Sequence, residues 1–512
     1  MSFDTTYYYQ LVSGTSSAGK ALDVKADGSG RLMMAAKGDF TGQFWKLVSR
    51  DAGKYALRTE YLGDGFSLDV INNARRDTPW LAPSGEYPGQ SWSLTPWGNG
   101  TYKLINDFTG PDQSLGTKDT GEPTLAPGDH DGQHWTLVQA RKIENNTAIP
   151  LLDSKGNIGG EGPTDFNLYA RPEGVVRAVM VFVDFQDIPA GAGSAADVAR
   201  SLLGNGNAQR LFYDQSHQRM TLDVDVRSDL GWRSMPSPIG EFETHGSFEQ
   251  HKEYVCQAAC LYAADIDFSE YALVLIATPE GADLKGASSF TAPNGDGVPV
   301  PGGEIRLAVT FDGGRRPRRY TTLVHEVGHL FGLPDLYRSG RDARDSRAGC
   351  WSLMSDVFHA TSFLGWDRHK CGWLDASRMT YIADPMIEWS GTLHPLPAAT
   401  GLSMAVFPVD DPLKPSKVFV LELAQSVLGD DGESCGEGVL FYTVDATVPS
   451  GSSPVVIVPN ICSASDNFGN LFEAPYGVGD RGARFEGTAL LVLEVRQRFG
   501  DSYYLKVRYE RR

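Results

Sequence analysis

"GQFWKL", residues 42–47, is the stretch on which the fold turns, because it comes back twice. "GQSWSL" covers residues 89–94 and "GQHWTL" residues 132–137, so Gly-Gln-x-Trp-x-Leu stands three times in register. Upstream, "ALDV" at 21–24 and "SLDV" at 67–70 match each other, and "SLGT" at 114–117 fills the third slot. Short strand-like runs and Gly, Asp and Asn turns lie between, with no helical period. A repeat of about 45 residues would also suit propeller blades, but three blades are fewer than the typical minimum of about four. Three β units closing round one core are therefore expected. Trp45, Trp92 and Trp135 would fill that core, and each Gln would tie down a neighbouring loop.

Three Gln-x-Trp units resemble the ricin-B-type β-trefoil lectins, over roughly residues 2–140. The resemblance implies carbohydrate binding, with glycans or glycoproteins as partners. Lectins of this class pair an early Asp, which accepts sugar hydroxyls, with an aromatic ring that covers the apolar sugar face. The second repeat keeps Asp69 and Trp80, with Asn72 and Asn73 nearby. The first keeps Asp23 but has Met33 and Met34 where an aromatic would stand, and the third has Gly116 in place of the Asp. Gly42, Gly89 and Gly132 stand where many members carry Asn. The second repeat is the expected sugar site; the alternative is a trefoil used as a spacer or docking module.

Composition narrows the rest. A chain of 512 residues is too long for one core, and its 41% hydrophobic and 21% charged residues are ordinary for a soluble globular protein. The net charge of −18 argues against nucleic acid and anionic membranes as partners. The basic run "RRPRRY", residues 315–320, is expected to be a solvated loop. No apolar run approaches the roughly 20 residues a membrane-spanning helix needs. The opening "MSFDTTYYYQ" lacks the pattern of a signal peptide. The expectation is a soluble protein, cytoplasmic or non-classically released, or else secreted from a form with a leader.

After a polar, Gly-rich lead-in at 141–166, "RAVMVFVDFQD" (177–187) and "YALVLIATP" (271–279) read as buried strands, with helical periodicity between them. That alternation predicts an α/β or α+β layered region. Within it lies "TTLVHEVGHLFGLPDLY", residues 321–337. Four residues apart on a helix, His325 and His329 share a face, and Glu326 beside them can reach a water without itself binding a metal. Gly332 can end the helix in the left-handed conformation, Pro334 prevents its resumption, and the returning chain would bring Asp335 to the histidines. Two histidines and a carboxylate leave a fourth position for water, as catalytic zinc requires. Further on, Met354 in "GCWSLMSD" (349–356) is placed to pack beneath such a cluster.

The string His-Glu-x-x-His-x-x-Gly-x-x-Asp with a following Met has the shape of a metzincin-type site. "LFYDQSHQRMTLDVDV", "DIDFSEYALVLI", "CWSLMSD", "FLGWDRHKCGWLD", "VFVLELAQ" and "GVLFYTVDA" extend the likeness. Here the chain resembles the immune inhibitor A family of secreted zinc metallopeptidases, from about residue 175 to the mid-400s. The resemblance implies one catalytic Zn2+ on His325, His329 and Asp335, Met354 as the Met-turn, and Glu326 as the base that activates zinc-bound water. The activity implied is endopeptidase cleavage of protein or peptide substrates; a structural Ca2+ is a further candidate cofactor. No Tyr follows two residues after Met354, which leaves Tyr337 and His359 as candidates for the oxyanion-stabilising residue. "GGEIRLAVTF", ending at Phe311, is a candidate edge strand for pairing with substrate, over Gly303 to Phe311.

The domain reading is thus multidomain: an all-β trefoil at 1–140, a linker and lead-in at 141–175, a metzincin-like α/β (α+β) peptidase domain at 176–388, and a β-rich C-terminal module at 389–512, expected to be a sandwich. Of the six cysteines, Cys350/Cys371 and Cys435/Cys462 are candidate bridges. The rival function is a lectin whose protease-like part is a catalytically silent scaffold.

Overall fold

Each Gly-Gln-x-Trp unit builds four strands. The first gives β1 (Tyr7–Ser13), β2 (Lys20–Val24), β3 (Leu32–Ala36) and β4 (Trp45–Ser49). The second gives β5 (Tyr55–Thr59), β6 (Phe66–Val70), β7 (Pro79–Pro83) and β8 (Trp92–Gly98). The third gives β9 (Thr101–Asn106), β10 (Ser114–Thr117), β11 (Pro123–Ala126) and β12 (Trp135–Lys142). Strands β1, β4, β5, β8, β9 and β12 pair in a ring that closes through β1 and β12, while β2–β3, β6–β7 and β10–β11 form hairpins. That is a β-trefoil, as expected. Trp45, Trp92 and Trp135 are fully buried, and each indole N–H donates to a hairpin carbonyl, of Leu22, Leu68 and Leu115 respectively. Gln43, Gln90 and Gln133 are buried too. Each donates to a carbonyl of Ala36, Pro83 or Ala126 and accepts a backbone N–H from Gly38, Gly85 or His130. The motif is therefore structural in all three repeats, since an unpaired buried amide would cost stability.

These observations come from a computed structural model. It describes residues 3–512 apart from 6, 15–18, 26–28, 64–65, 119, 143–148, 151, 158, 192–193, 315–318, 340–346, 385, 399, 426, 429–433 and 461–470. Most of the basic run, 315–318, and Cys462 thus lie outside the described residues. The described residues are mostly β, in several sheets, with few helices among them.

The central part holds β13 (Gly174–Asp184), helices α1 (Ala195–Leu203) and α2 (Asn207–Gln215), β14 (Met220–Val226), the short β15 (Arg233–Ser234) and α3 (Phe248–Tyr262). Then come β16 (Leu273–Ala277), β17 (Ser288–Thr291), β18 (Val298–Val300), β19 (Gly303–Ile305), β20 (Leu307–Phe311), α4 (Arg319–Leu330) and α5 (Gly365–Lys370). The main sheet runs β14-β13-β16-β20-β17, parallel except for the antiparallel edge strand β17. The continuous apolar run in β13 follows from burial on both faces. Ala178, Met180 and Phe182 join the core under α1, α2 and α4, while Val179, Val181 and Val183 pack against α3.

Two corrections arise here. In the segment read as an edge strand, Leu307–Phe311 lies inside the sheet and Gly303–Ile305 pairs in a separate hairpin with β18; among the described residues the edge strand on that side is β17. The lead-in at 149–173 is not free chain. Ile149 and Leu152 enter the main core, and the buried Glu161 accepts from the Trp366 indole at 3.0 Å.

The C-terminal part is a sandwich of a five-stranded and a four-stranded sheet. Phe407, Phe419 and Leu421 meet Leu491, Leu493, Leu505 and Tyr509 between them. The opposite face of the five-stranded sheet, with Val418, Val420, Leu440, Tyr442 and Val444, belongs to the same core as α4. A disulfide joins Cys350 to Cys435, not to Cys371, which is buried with a free thiol. The trefoil docks on this part through Tyr61, whose hydroxyl donates to Gln497 at 2.6 Å and whose ring meets Phe499 and Tyr504. No helix among the described residues is long and apolar enough to cross a membrane.

Candidate functional site

Helix α4 ends as its sequence requires. Gly332 has φ +85°, the Leu333 N–H reaches back to the Gly328 carbonyl and the Gly332 N–H to that of His329, which is a Schellman closure with glycine at the left-handed position. A Cβ on Gly332 would also stand 2.6 Å from Thr164. Past this turn the chain doubles back and brings Asp335 to the helix. The Nε2 atoms of His325 and His329 are 3.1 Å apart, and each is 3.2 Å from Asp335 Oδ1.

The rings cannot rotate freely. His325 Nδ1 is 2.8 Å from the Leu353 carbonyl, and His329 Nδ1 is 2.8 Å from that of Leu333. A carbonyl only accepts, so each Nδ1 carries the proton and each Nε2 presents a lone pair to the same point. Asp335 Oδ1 is buried and, close as the two nitrogens are, has no hydrogen-bond partner among the described residues. The three atoms face a common centre rather than one another. Zinc bonds of about 2.0–2.1 Å in a tetrahedron place ligand atoms about 3.3 Å apart, so the observed triangle fits that ion closely. Without a cation, burial opposes charge on His329, but Asp335 outweighs it and pushes the imidazole up to about 9. The same pairing holds the Asp335 carboxyl well below the usual range against the upward pull of burial.

Met354 is fully buried beneath the helix, and a Cβ on Gly328 would lie 2.8 Å from its sulfur. The glycine between the two histidines thus makes room for the methionine. Glu326, His329, Asp335 and Tyr337 line one cleft of about 430 Å³ with the edge strand β17 and the start of α3. Tyr337 stacks against His325 at 6.1 Å between centroids. Burial, with the Asp335 charge beside it, pushes its phenol well above the usual range. His359 is not in this cleft; it bonds Asp356 at 2.6 Å and packs on Phe472. Of the two oxyanion candidates only Tyr337 is in reach. No second group of three or more His, Cys, Asp or Glu side chains suited to a metal occurs among the described residues, so the calcium expectation has no such cluster to rest on there.

In the trefoil, strand register tests the sugar pairing. Asp69 lies opposite Trp80, Asp23 opposite Met33, and Gly116 opposite Thr124. Opposed residues of an antiparallel pair share a face, so only the second hairpin presents acid and aromatic together. Asp69 accepts from Gln90 Nε2 at 2.9 Å and from the Val70 N–H at 2.7 Å. Each oxygen keeps a lone pair for a sugar hydroxyl. A Cβ on Gly89 would fall 2.0 Å from Asp69 Oδ1, and one on Gly42 2.2 Å from that of Asp23. In the first two repeats the acid thus lies over the glycine and leaves no room for the side chain of an Asn, and in the third Thr117 fills that space. Asn73 Oδ1 accepts from the Arg75 and Arg76 N–H groups, which makes it a turn former, while Asn72 is exposed.

No family model matches the chain. No curated protein matches it either. Among solved structures, the designed three-fold symmetric protein ThreeFoil is 28% identical over 27% of this chain and all of its own, with a TM-score of 0.24. A protein described as BEL β-trefoil is 15% identical over 27% of this chain and 97% of its own, again with a TM-score of 0.24. An exo-β-1,3-galactanase from Clostridium thermocellum is 24% identical over 27% of this chain and 31% of its own, TM-score 0.24. The β-trefoil likenesses fall on the N-terminal part. The trefoil assignment rests on the closed ring and three hairpins above, not on these scores.

The cleft also contains residues that carried no sequence signal: His245, Phe248, His251, Ser288 and Phe290. They lie on a loop, a helix start and an edge strand, so no spacing rule links them to the histidines.

Proposed function

We propose that the chain is a zinc-dependent endopeptidase carrying a carbohydrate-binding β-trefoil. The observation that carries the reading is the triangle of His325, His329 and Asp335 lone pairs, with Glu326 in the same cleft beside the edge strand β17. The helix, left-handed turn, returning Asp and underlying Met354 also fit the metzincin expectation.

When bound, zinc would supply a Lewis acid that polarises the scissile carbonyl and acidifies water. The protein's residues do the rest. The strand β17 offers backbone groups to an extended peptide and sets its direction past the metal ligands. Glu326 accepts a proton from the attacking water and passes it to the amide nitrogen as the C–N bond breaks. Tyr337 borders the same space and can donate its hydroxyl proton in a hydrogen bond to negative charge on the former carbonyl oxygen. Met354 and the two carbonyls hold the imidazoles still.

The decisive experiment measures metal content of the purified full chain together with casein hydrolysis, with and without a chelator. One zinc per chain and chelator-sensitive cleavage are expected. Bound zinc without cleavage of any protein would favour the silent-scaffold alternative.

Sugar recognition is assigned to the second repeat. Asp69→Ala in the full chain should lower glycan-array binding by tenfold or more, since hydrogen bonds to a charged acceptor contribute about 1.5–3 kcal/mol. The same variant should cleave an unglycosylated peptide at the wild-type rate. Full glycan binding by Asp69→Ala would remove this assignment.

A further inference from the structure

The far wall of the cleft is an aromatic shelf that the hydrolytic reading leaves unused. Phe248, the first residue of α3, stacks on Phe290 of β17 with centroids 5.4 Å apart and planes at 21°. Phe290 is 2% exposed and is pinned from below by His251, whose ring meets it edge-on at 5.5 Å and whose Nε2 lies 3.3 Å from Thr310 Oγ1. Phe248 is 39% exposed. Core packing therefore explains Phe290 but not Phe248, a large ring held at the mouth of a cleft by a buried partner. Lys252, one turn along α3, places Nζ 5.8 Å from the Phe248 centroid. Ser288, on the same face of β17 as Phe290, has a buried hydroxyl without a hydrogen-bond partner among the described residues.

An extended peptide paired with β17 alternates its side chains between the two faces of the sheet. One set points toward α4 and the metal ligands. The other set points toward α3 and meets Phe248. We propose that Phe248, backed by Phe290 and flanked by Lys252, is the specificity-determining subsite of the cleft, and that it takes an aromatic side chain of the substrate. Offset ring stacking adds about 0.5–1.5 kcal/mol beyond burial, and an ammonium at the rim favours a π face over an aliphatic chain of equal size. The substrate class is thus a peptide with Phe, Tyr or Trp at one fixed position from the scissile bond. This inference rests on the endopeptidase reading and deepens it.

The test uses the full chain and a random peptide library, read by mass spectrometry, with kcat and KM then measured on matched peptides. Wild type should enrich aromatic residues at a single subsite. Phe248→Ala should lower the ratio of kcat/KM for the aromatic peptide over its alanine counterpart by roughly tenfold or more, through KM, while the variant still binds one zinc. Phe248→Trp should keep the preference, which separates loss of the ring from damage to the fold. A second readout does not need turnover. In Glu326→Gln, fluorescence polarisation should show tighter binding of the aromatic peptide than of its alanine counterpart. Cleavage with no aromatic preference, or a preference unchanged in Phe248→Ala, overturns the subsite and leaves the peptidase reading standing. Aromatic-selective binding by Glu326→Gln, with no cleavage by wild type, supports the subsite and overturns the peptidase reading.

Discussion

Glu326→Gln is expected to retain one zinc per chain and to lower peptide hydrolysis by about 10²–10⁴-fold, the range for removal of a positioned general base. The substitution is nearly isosteric, and Glu326 is not one of the three converging side chains proposed to hold the metal. Its carboxylate lines the cleft beside His329 and Asp335, where a base for the attacking water must stand. Glutamine keeps the volume and removes the ability to take a proton. The measurement pairs metal analysis with initial rates on one peptide, because either alone is ambiguous. Metal loss with activity loss would make Glu326 a ligand or a fold element. Wild-type activity would exclude it as the base.

Much of this site was legible because local rules govern it. His325, Glu326 and His329 follow from one helix, and the return to Asp335 follows from Gly332, whose left-handed φ and closing hydrogen bonds depend only on neighbouring residues. The trefoil was legible for a different reason. The same buried Trp and Gln recur, so each repeat carries the same signal. What stayed hidden depends on contacts distant in sequence. Nothing in "GGEIRLAVTF" shows that β17 would take the outer edge, because sheet order is set by packing of α3 and α4 on opposite faces. Cys350 finds Cys435 across 85 residues, a pairing that spacing cannot select among six cysteines. Likewise Phe248 reaches the cleft only because α3 begins above β17.

Asp335→Ala should weaken zinc binding by about a hundredfold while the chain stays folded. Zinc in small protein sites contributes about 10–16 kcal/mol through four ligands, so one ligand carries on the order of 3 kcal/mol, or two decades in affinity. Folding should survive, because Asp335 is held mainly by its backbone. Its N–H donates to Ser450 Oγ at 2.9 Å, its carbonyl accepts the Gly451 N–H at 3.0 Å, and the next residue, Leu336, donates to the Met354 carbonyl at 2.9 Å. Two of these anchors come from the C-terminal part, more than a hundred residues away along the chain. That part therefore does more than cover the core, since it fixes the turn that brings Asp335 to the two histidines. Ser450→Ala should accordingly lower zinc affinity too, but by about tenfold, as a support behind a ligand does. The graded pair is checked by competition with a chromophoric chelator, with thermal unfolding of each apo-protein as the control for folding. Unchanged affinity in Asp335→Ala would place the third ligand elsewhere. An equal loss in both variants, with lowered unfolding temperatures, would mean that the Asp335 carboxylate holds the turn rather than the metal.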